Sequence, residues 1–172
     1  MDTQLAIASR RDEDRHGAAD VEPAVVDRIL DAGRVAGSGS NRQPWTFVLL
    51  EEDGVLERLA PAVYEPDNVR TAAFAVGILV SGKGPTSFDA GRAAQNMLLA
   101  AWNEGLISSP NGIADEALAR AELGAAEEER PVIVLSFGRP RRPRDPERLT
   151  RAEWSARANR KPLAEIVRRR GA

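Results

Sequence analysis

Gly37-Ser38-Gly39-Ser40-Asn41-Arg42-Gln43-Pro44-Trp45 joins a helical pattern to the apolar stretch Thr46-Phe47-Val48-Leu49-Leu50. The two glycines and two serines let the backbone approach something flat or charged, and Pro44 sets the exit. Asn41, Arg42 and Gln43 offer amide and guanidinium donors. A helix C-cap followed by a turn accounts for the glycines and the proline; a bound ligand accounts for Asn-Arg-Gln as well. Upstream, a helix starts near Pro23, carries Val25, Val26, Ile29, Leu30 and Ala36, and stops at Gly37. Downstream, Trp45–Leu50 is a strand.

Working outward, Thr3–Ser9 is a short helix ending in the charge run Arg10-Arg11-Asp12-Glu13-Asp14-Arg15. Asp53–Leu59 is a short helix broken by Pro61, and Ala72–Val80 is an unbroken apolar run, as in a central strand covered on both faces. The longest helix follows, capped by Ser87 or Asp89 and ended by Gly105. Its stripe, Ala90, Ala93, Ala94, Met97, Leu98, Ala101 and Trp102, marks core or a subunit interface. Leu106–Pro110 is a strand leading to a turn at Asn111-Gly112, a helix starts at Asp115, and Pro131–Phe137 is a further strand. Beyond Pro140 the chain is proline-rich and basic until a last helix at Pro162–Val167. Helices and strands interleave without strict βαβ alternation, so the class is α+β around a central sheet.

The 172 residues form one domain by length, with 42% hydrophobic and 29% charged residues. No run is long enough to span a bilayer, and Met1-Asp2-Thr3-Gln4 does not open a secretory signal. The chain has no cysteine, which excludes disulfides and thiolate chemistry and points to the cytoplasm. The net charge of −2 is unevenly spread: from Arg139 onward twelve basic residues stand against four acids, a surplus of +8 that leaves −10 for the rest. Trp154 is the tail's lone aromatic, which argues against nucleic acid. Because Trp154, Leu163, Ile166 and Val167 need covering, we expect residues 139–172 to form an arm on a partner subunit of a homodimer.

Standard catalytic sets are missing. His16 is the only histidine, so no His-based metal site is available, and in its charged run it reads as solvated. There is no Gly-x-Ser-x-Gly elbow, Walker loop or Gly-x-Gly-x-x-Gly, and Gly82-Lys83-Gly84-Pro85 reads as a turn. An enzyme with so few groups of its own needs a cofactor to carry the reaction. Two basic clusters, Arg10-Arg11 and Arg157 with Arg160 and Lys161, suit an anionic one, because guanidinium forks hold phosphate in bidentate fashion. Each cluster taken alone reads more readily as solvated surface.

Arg10-Arg11, the 37–45 stretch and Asp89–Ala101 together resemble the nitroreductase family of FMN-dependent oxidoreductases. So do Glu104-Gly105-Leu106, Pro110-Asn111-Gly112, Val132–Phe137 with Gly138-Arg139-Pro140, and Arg160-Lys161-Pro162-Leu163, all in the same order. The resemblance implies an α+β sandwich with a mostly antiparallel sheet flanked by helices, in an intertwined homodimer that exchanges C-terminal arms. It implies that Arg10, Arg11 and Arg160 or Lys161 hold the FMN phosphate. Ser38, Ser40, Asn41 and Gln43 would contact the flavin from the partner subunit, and Asn111-Gly112 would set backbone groups near its reactive edge. Hydride would pass from NAD(P)H through flavin to a nitroaromatic, quinone or similar acceptor. The family usually has Ser where this chain has Asp12 and a cation where it has Asp14, so a non-catalytic flavin-fold binding module is the alternative. The short stretch from Leu50 to Ala72 further implies that a helical lid over the substrate pocket is missing.

Overall fold

A computed structural model describes residues 1–13, 15–17 and 20–171, without the side chain of Asp53, and divides into two compact units. The larger runs from Arg11 to Arg144. It contains α2 (Pro23–Arg34), β1 (Trp45–Leu50), α3 (Asp53–Leu59), α4 (Pro66–Arg70), β2 (Phe74–Val80) and α5 (Thr86–Asn103), followed by β3 (Ile107–Asn111), α6 (Glu116–Glu122) and β4 (Arg130–Gly138). The four strands form one sheet in the order β1-β2-β4-β3, and every pair is antiparallel. This is the α+β architecture expected, with an antiparallel sheet between helices.

The apolar run becomes the central strand because every residue of β2 is buried. Side chains alternate across a strand, so one sequence supplies two cores. Phe74, Val76, Ile78 and Val80 face the core made with α2 and α5, while Ala75 and Leu79 face a second core made with α3, α4 and α6. Phe74 stacks on Phe137 of β4 with ring centroids 4.8 Å apart. Gly77 is required by close approach: the side chain of Leu123 occupies the space that a Cβ would fill. Pro131 stands opposite Leu79 where the β2–β4 register shifts, consistent with a residue that has no N–H for the ladder.

The whole predicted stripe of α5 is buried, and its small residues admit α2 so closely that an added Cβ at Gly33 would collide with Met97. Outside that contact, Arg28 of α2 holds Glu104 with both oxygens, at 2.7 and 3.1 Å. The Arg28 hydrogen bond keeps the Glu104 carboxyl below the usual carboxylate range.

Several details depart from the sequence expectations. α2 ends at Arg34, so Ala36 is buried from the following loop. α5 starts at Thr86 with neither Ser87 nor Asp89 as its cap. The Ser87 hydroxyl instead accepts from Arg130 at 2.7 Å, and Asp89 reaches the loop before β1. Asn111 closes β3 rather than opening a turn. His16 is buried, not solvated: its ring packs on Gly138, where an added Cβ would lie 2.7 Å from the His16 Cβ. A glycine there makes room for the imidazole.

The smaller unit joins Met1–Arg10 to Asp145–Ala172. It holds α1 (Thr3–Ser9), α7 (Arg151–Arg157) and α8 (Leu163–Ile166), and α1 packs against α7. Asp2 caps α1 by accepting from the Leu5 N–H at 2.9 Å. The sequence reading did not foresee α7, yet Thr150 and Glu153 form a complete capping box at its start. Trp154 donates from its indole N–H to the Pro146 carbonyl at 2.7 Å, and Arg148 lies over its ring. Among the described residues no helix is long and apolar enough to cross a membrane, and no cluster suited to a metal ion occurs.

Candidate functional site

The loop from Ser38 to Gln43 is built by its own polar groups. Asn41 donates its N–H to the Ser38 carbonyl at 3.0 Å, and the Gln43 N–H donates to the Ser38 hydroxyl at 2.8 Å. The Gln43 side-chain amide turns back to the Asn41 carbonyl at 3.2 Å. These bonds hold Ser40, Asn41 and Gln43 at φ of 51°, 55° and 49°. Left-handed backbone at a non-glycine residue costs on the order of 1–3 kcal/mol, and such strain clusters at binding sites. The result is an exposed rim carrying the Ser40 hydroxyl and the Asn41 amide.

A second group of predicted residues follows β3. Glu13 donates its N–H to the Ser108 carbonyl at 3.3 Å, Ser109 donates its hydroxyl back to the Glu13 carbonyl, and Arg144 pairs with the Glu13 carboxylate. That ties half-buried Arg11 to the β3 edge, two residues away. At the far end of β3 the Asn111 amide is fully engaged. Its Nδ2 donates among the Ser109 carbonyl, the Val134 carbonyl and the Ser136 hydroxyl at 3.0–3.1 Å, and its Oδ1 accepts from Asn68 at 3.0 Å. The side chain thus locks the strand end, and the Gly112 carbonyl accepts from the Tyr64 N–H at 3.1 Å. Tyr64, 73% exposed, lies alongside Gly112.

The loop and the Glu13–Ser108 tie occupy different corners of one sheet, while Asn111 lies on the β3 edge level with Gly77, midway along β2. Trp45 is level with Val80 at one end, whereas Ser108 is level with Phe137 and so with Phe74 at the other. Three strand spacings across, roughly 14 Å, and six residues along, roughly 20 Å, separate the start of β1 from the start of β3. The remaining predicted residues lie in the smaller unit. Arg10 caps α1, its N–H bonded to the Ala6 carbonyl, and exposed Arg160 and Lys161 follow Asn159 (φ 49°) between α7 and α8. Asp12 is exposed; Asp14 lies outside the described residues.

Sequence reasoning missed Asn68 and Asp89 as supports, since each acts on a segment far away in the chain. An open groove of about 500 Å³ between α2 and α5, lined by Asp27, Arg28, Asp31 and Glu104 among others, contains none of the predicted donors.

The model of the nitroreductase family matches residues 7–76 and 86–139. The chain belongs to the nitroreductase family. The matched spans include Arg10, Arg11, Ser38–Gln43, Asn111 and Gly112; Arg160 and Lys161 lie beyond them. A curated relative from Methanothermobacter thermautotrophicus, provisionally named an NADH dehydrogenase/NAD(P)H nitroreductase, is 29% identical over 111 residues. The match takes in 62% of this chain and 58% of that protein, so it spans little more than half the relative's length. A nitroreductase family protein from Clostridium difficile 630 has a similar fold, with a TM-score of 0.82 over 100% of both chains at 24% identity. An FMN-dependent nitroreductase from Clostridium difficile R20291 aligns over 81% of this chain and 88% of its own, with a TM-score of 0.76 at 21% identity.

Proposed function

We propose that this nitroreductase-family protein is an FMN-dependent oxidoreductase, taking hydride from NAD(P)H and passing electrons to a nitroaromatic, quinone or similar acceptor. The observation that carries this reading is the Ser38–Gln43 loop. It keeps three non-glycine residues in left-handed backbone and turns uncharged donors outward, on a fold whose family includes a relative named FMN-dependent. Such donors suit a flavin edge, which presents carbonyl and ring-nitrogen acceptors. Bound FMN supplies the hydride chemistry, which fits a chain without a nucleophile or metal set of its own.

The separation of the two donor groups supports a homodimer. Arg11, tied to the start of β3, and Asn111-Gly112 at its end share the β3 edge, and the loop lies three strands away, at the corner opposite the Arg11 tie. One FMN touching both is most simply held between two copies, each giving its loop to the other's β3 edge. Arg10, Arg160 and Lys161 complete the phosphate end in this reading. The Asn111 amide is engaged within the sheet, so the contact there falls to main-chain atoms. Residues 139–172, taken with the rest as one nitroreductase-like domain, form an arm covering the partner through exposed Leu163, Ile166 and Val167. A cytoplasmic setting accords with a cysteine-free chain.

Asp12 favours a second reading, a flavin-fold binding module without turnover, because a carboxylate beside the phosphate cluster repels an anion. The visible spectrum of the purified protein separates the two. A flavin band that NADH or NADPH bleaches is expected; a colourless protein that takes up no added FMN sinks the enzyme reading. Arg11→Ala should weaken FMN binding by about 1–3 kcal/mol, and unchanged affinity would remove Arg11 from the site.

A further inference from the structure

Asp89 is an acid four residues into α5, 5% exposed, and it does not cap its own helix. Its Oδ2 accepts the Gly39 N–H at 3.2 Å, a contact spanning 50 residues of sequence. Its Oδ1 lies 3.9 Å from Arg92 Nη1, and the Arg92 guanidinium covers Gly37 so closely that any Cβ there would displace it. The strained loop is therefore gripped at its foot from α5, just before the three left-handed residues. Strain of this kind persists only where surrounding contacts over-determine it. Ser38 and Gln43 hold the rim from within, but they move with the loop. Asp89 and Arg92 stand on an eighteen-residue helix whose apolar face is sunk in the core.

We infer that Asp89 is a positioning residue for the cofactor-contacting loop: by fixing Gly39 it aims the Ser40 and Asn41 donors, without touching the ligand itself. This rests on the flavin reading of the loop. The charge of the acceptor matters less than its presence, because the bond runs from a neutral backbone N–H.

The test measures FMN affinity of the full chain by flavin fluorescence quenching and, without FMN, the rate of tryptic cleavage after Arg42. Asp89→Ala should raise Kd about tenfold, the size of one lost hydrogen bond, and speed the cleavage. Asp89→Asn keeps an acceptor oxygen and should restore most of the affinity. Gly39→Pro deletes the donor from the other side, and the extended Ser38 before it (ψ 160°) accepts a following proline. Its ring Cδ takes the place of the N–H against Asp89 Oδ2, so it should weaken binding at least as much as Asp89→Ala, and the double variant should be no weaker than Gly39→Pro. Gly39→Ala keeps the N–H, and its Cβ would come no nearer than 3.9 Å to Asp89, so its loop should be cut after Arg42 no faster than in wild type.

Wild-type Kd in both Asp89→Ala and Gly39→Pro, additive losses in the double variant, or tryptic cleavage no faster than wild type would each overturn the assignment. A wild-type chain that binds no FMN, yet is cut faster after Asp89→Ala, overturns the flavin reading and reduces Asp89 to a structural brace. The Gly39 pair keeps the question open to test if Asp89→Ala fails to fold.

Discussion

In the unit Arg11–Arg144, Phe74 and Phe137 stack with 2% and 0% of their surface exposed, and seven consecutive residues of β2 are covered. In the unit that joins Met1–Arg10 to Asp145–Ala172, only Ala6 and Ser9 are buried among the described residues, and Leu163 and Ile166 are 69% and 63% exposed. The first unit is held by apolar area, the second by caps, a capping box and an indole bond. Burial is non-directional and grows with area, whereas a cap contributes on the order of 1 kcal/mol wherever it stands. The larger unit therefore has a core of its own, and the smaller leaves apolar surface for something else to cover.

The sharpest way to break this contrast is at the stack. Phe137→Ala should destabilise the protein by about 3–5 kcal/mol in urea unfolding, as for other buried aromatics. A loss under about 1 kcal/mol would mean that the two cores are not the source of stability.

Thr150→Ala removes the hydroxyl half of the capping box, leaves the backbone N–H of residue 150 on Glu153, and should cost about 1 kcal/mol. Faster amide exchange should appear in α7 and leave β2 unaffected. Loss of protection in β2 to the same degree would show that the two units unfold as one. The same box carries a pH dependence. The Thr150 hydroxyl, then its N–H, hold the Glu153 carboxyl below the usual carboxylate range. A lowered acid stabilises the fold above its unfolded pKa of about 4.3 and loses that contribution as the pH falls through the folded value. Exchange in α7 should rise on acidification below that range in wild type, and Thr150→Ala should make the rise smaller while the residue 150 N–H keeps part of it; an unchanged profile would remove the hydroxyl's bond to Glu153.

The smallest effect on stability is expected from Leu163→Asp with Ile166→Asp, within about 0.5 kcal/mol for side chains this exposed. Sedimentation should nonetheless show weaker self-association. A dimer of wild-type strength would leave those residues without the proposed partner.

The elements legible from sequence were those with short-range signals. α1, β1 and α3 have the predicted bounds, because a first-turn residue, an apolar run or a following proline acts on its neighbours. α7 was overlooked although Thr150-Arg151-Ala152-Glu153 spells its start, because no apolar stripe accompanies it. His16 in a charged run reads as solvated; its burial depends on Gly138, more than a hundred residues on, leaving room for the ring. The donor-rich loop was visible in the sequence as a candidate site, but its supports were not.

By itself the sequence determined the four strands and every helix but α4 and α7, that β2 is central, and the ordered motifs of the nitroreductase family. It also excluded cysteine chemistry and a His-based metal site. Only the tertiary structure decided that the loop and Arg11 stand at opposite corners of one sheet. It likewise decided that Asp89 grips Gly39 rather than capping α5, and that the Asn111 amide locks the end of β3. Hydrogen-bond ladders and apolar periodicity act within a turn or a few residues. The partner of a buried polar group is set by which segments cross, 50 residues apart for Gly39 and Asp89 and 43 for Asn68 and Asn111.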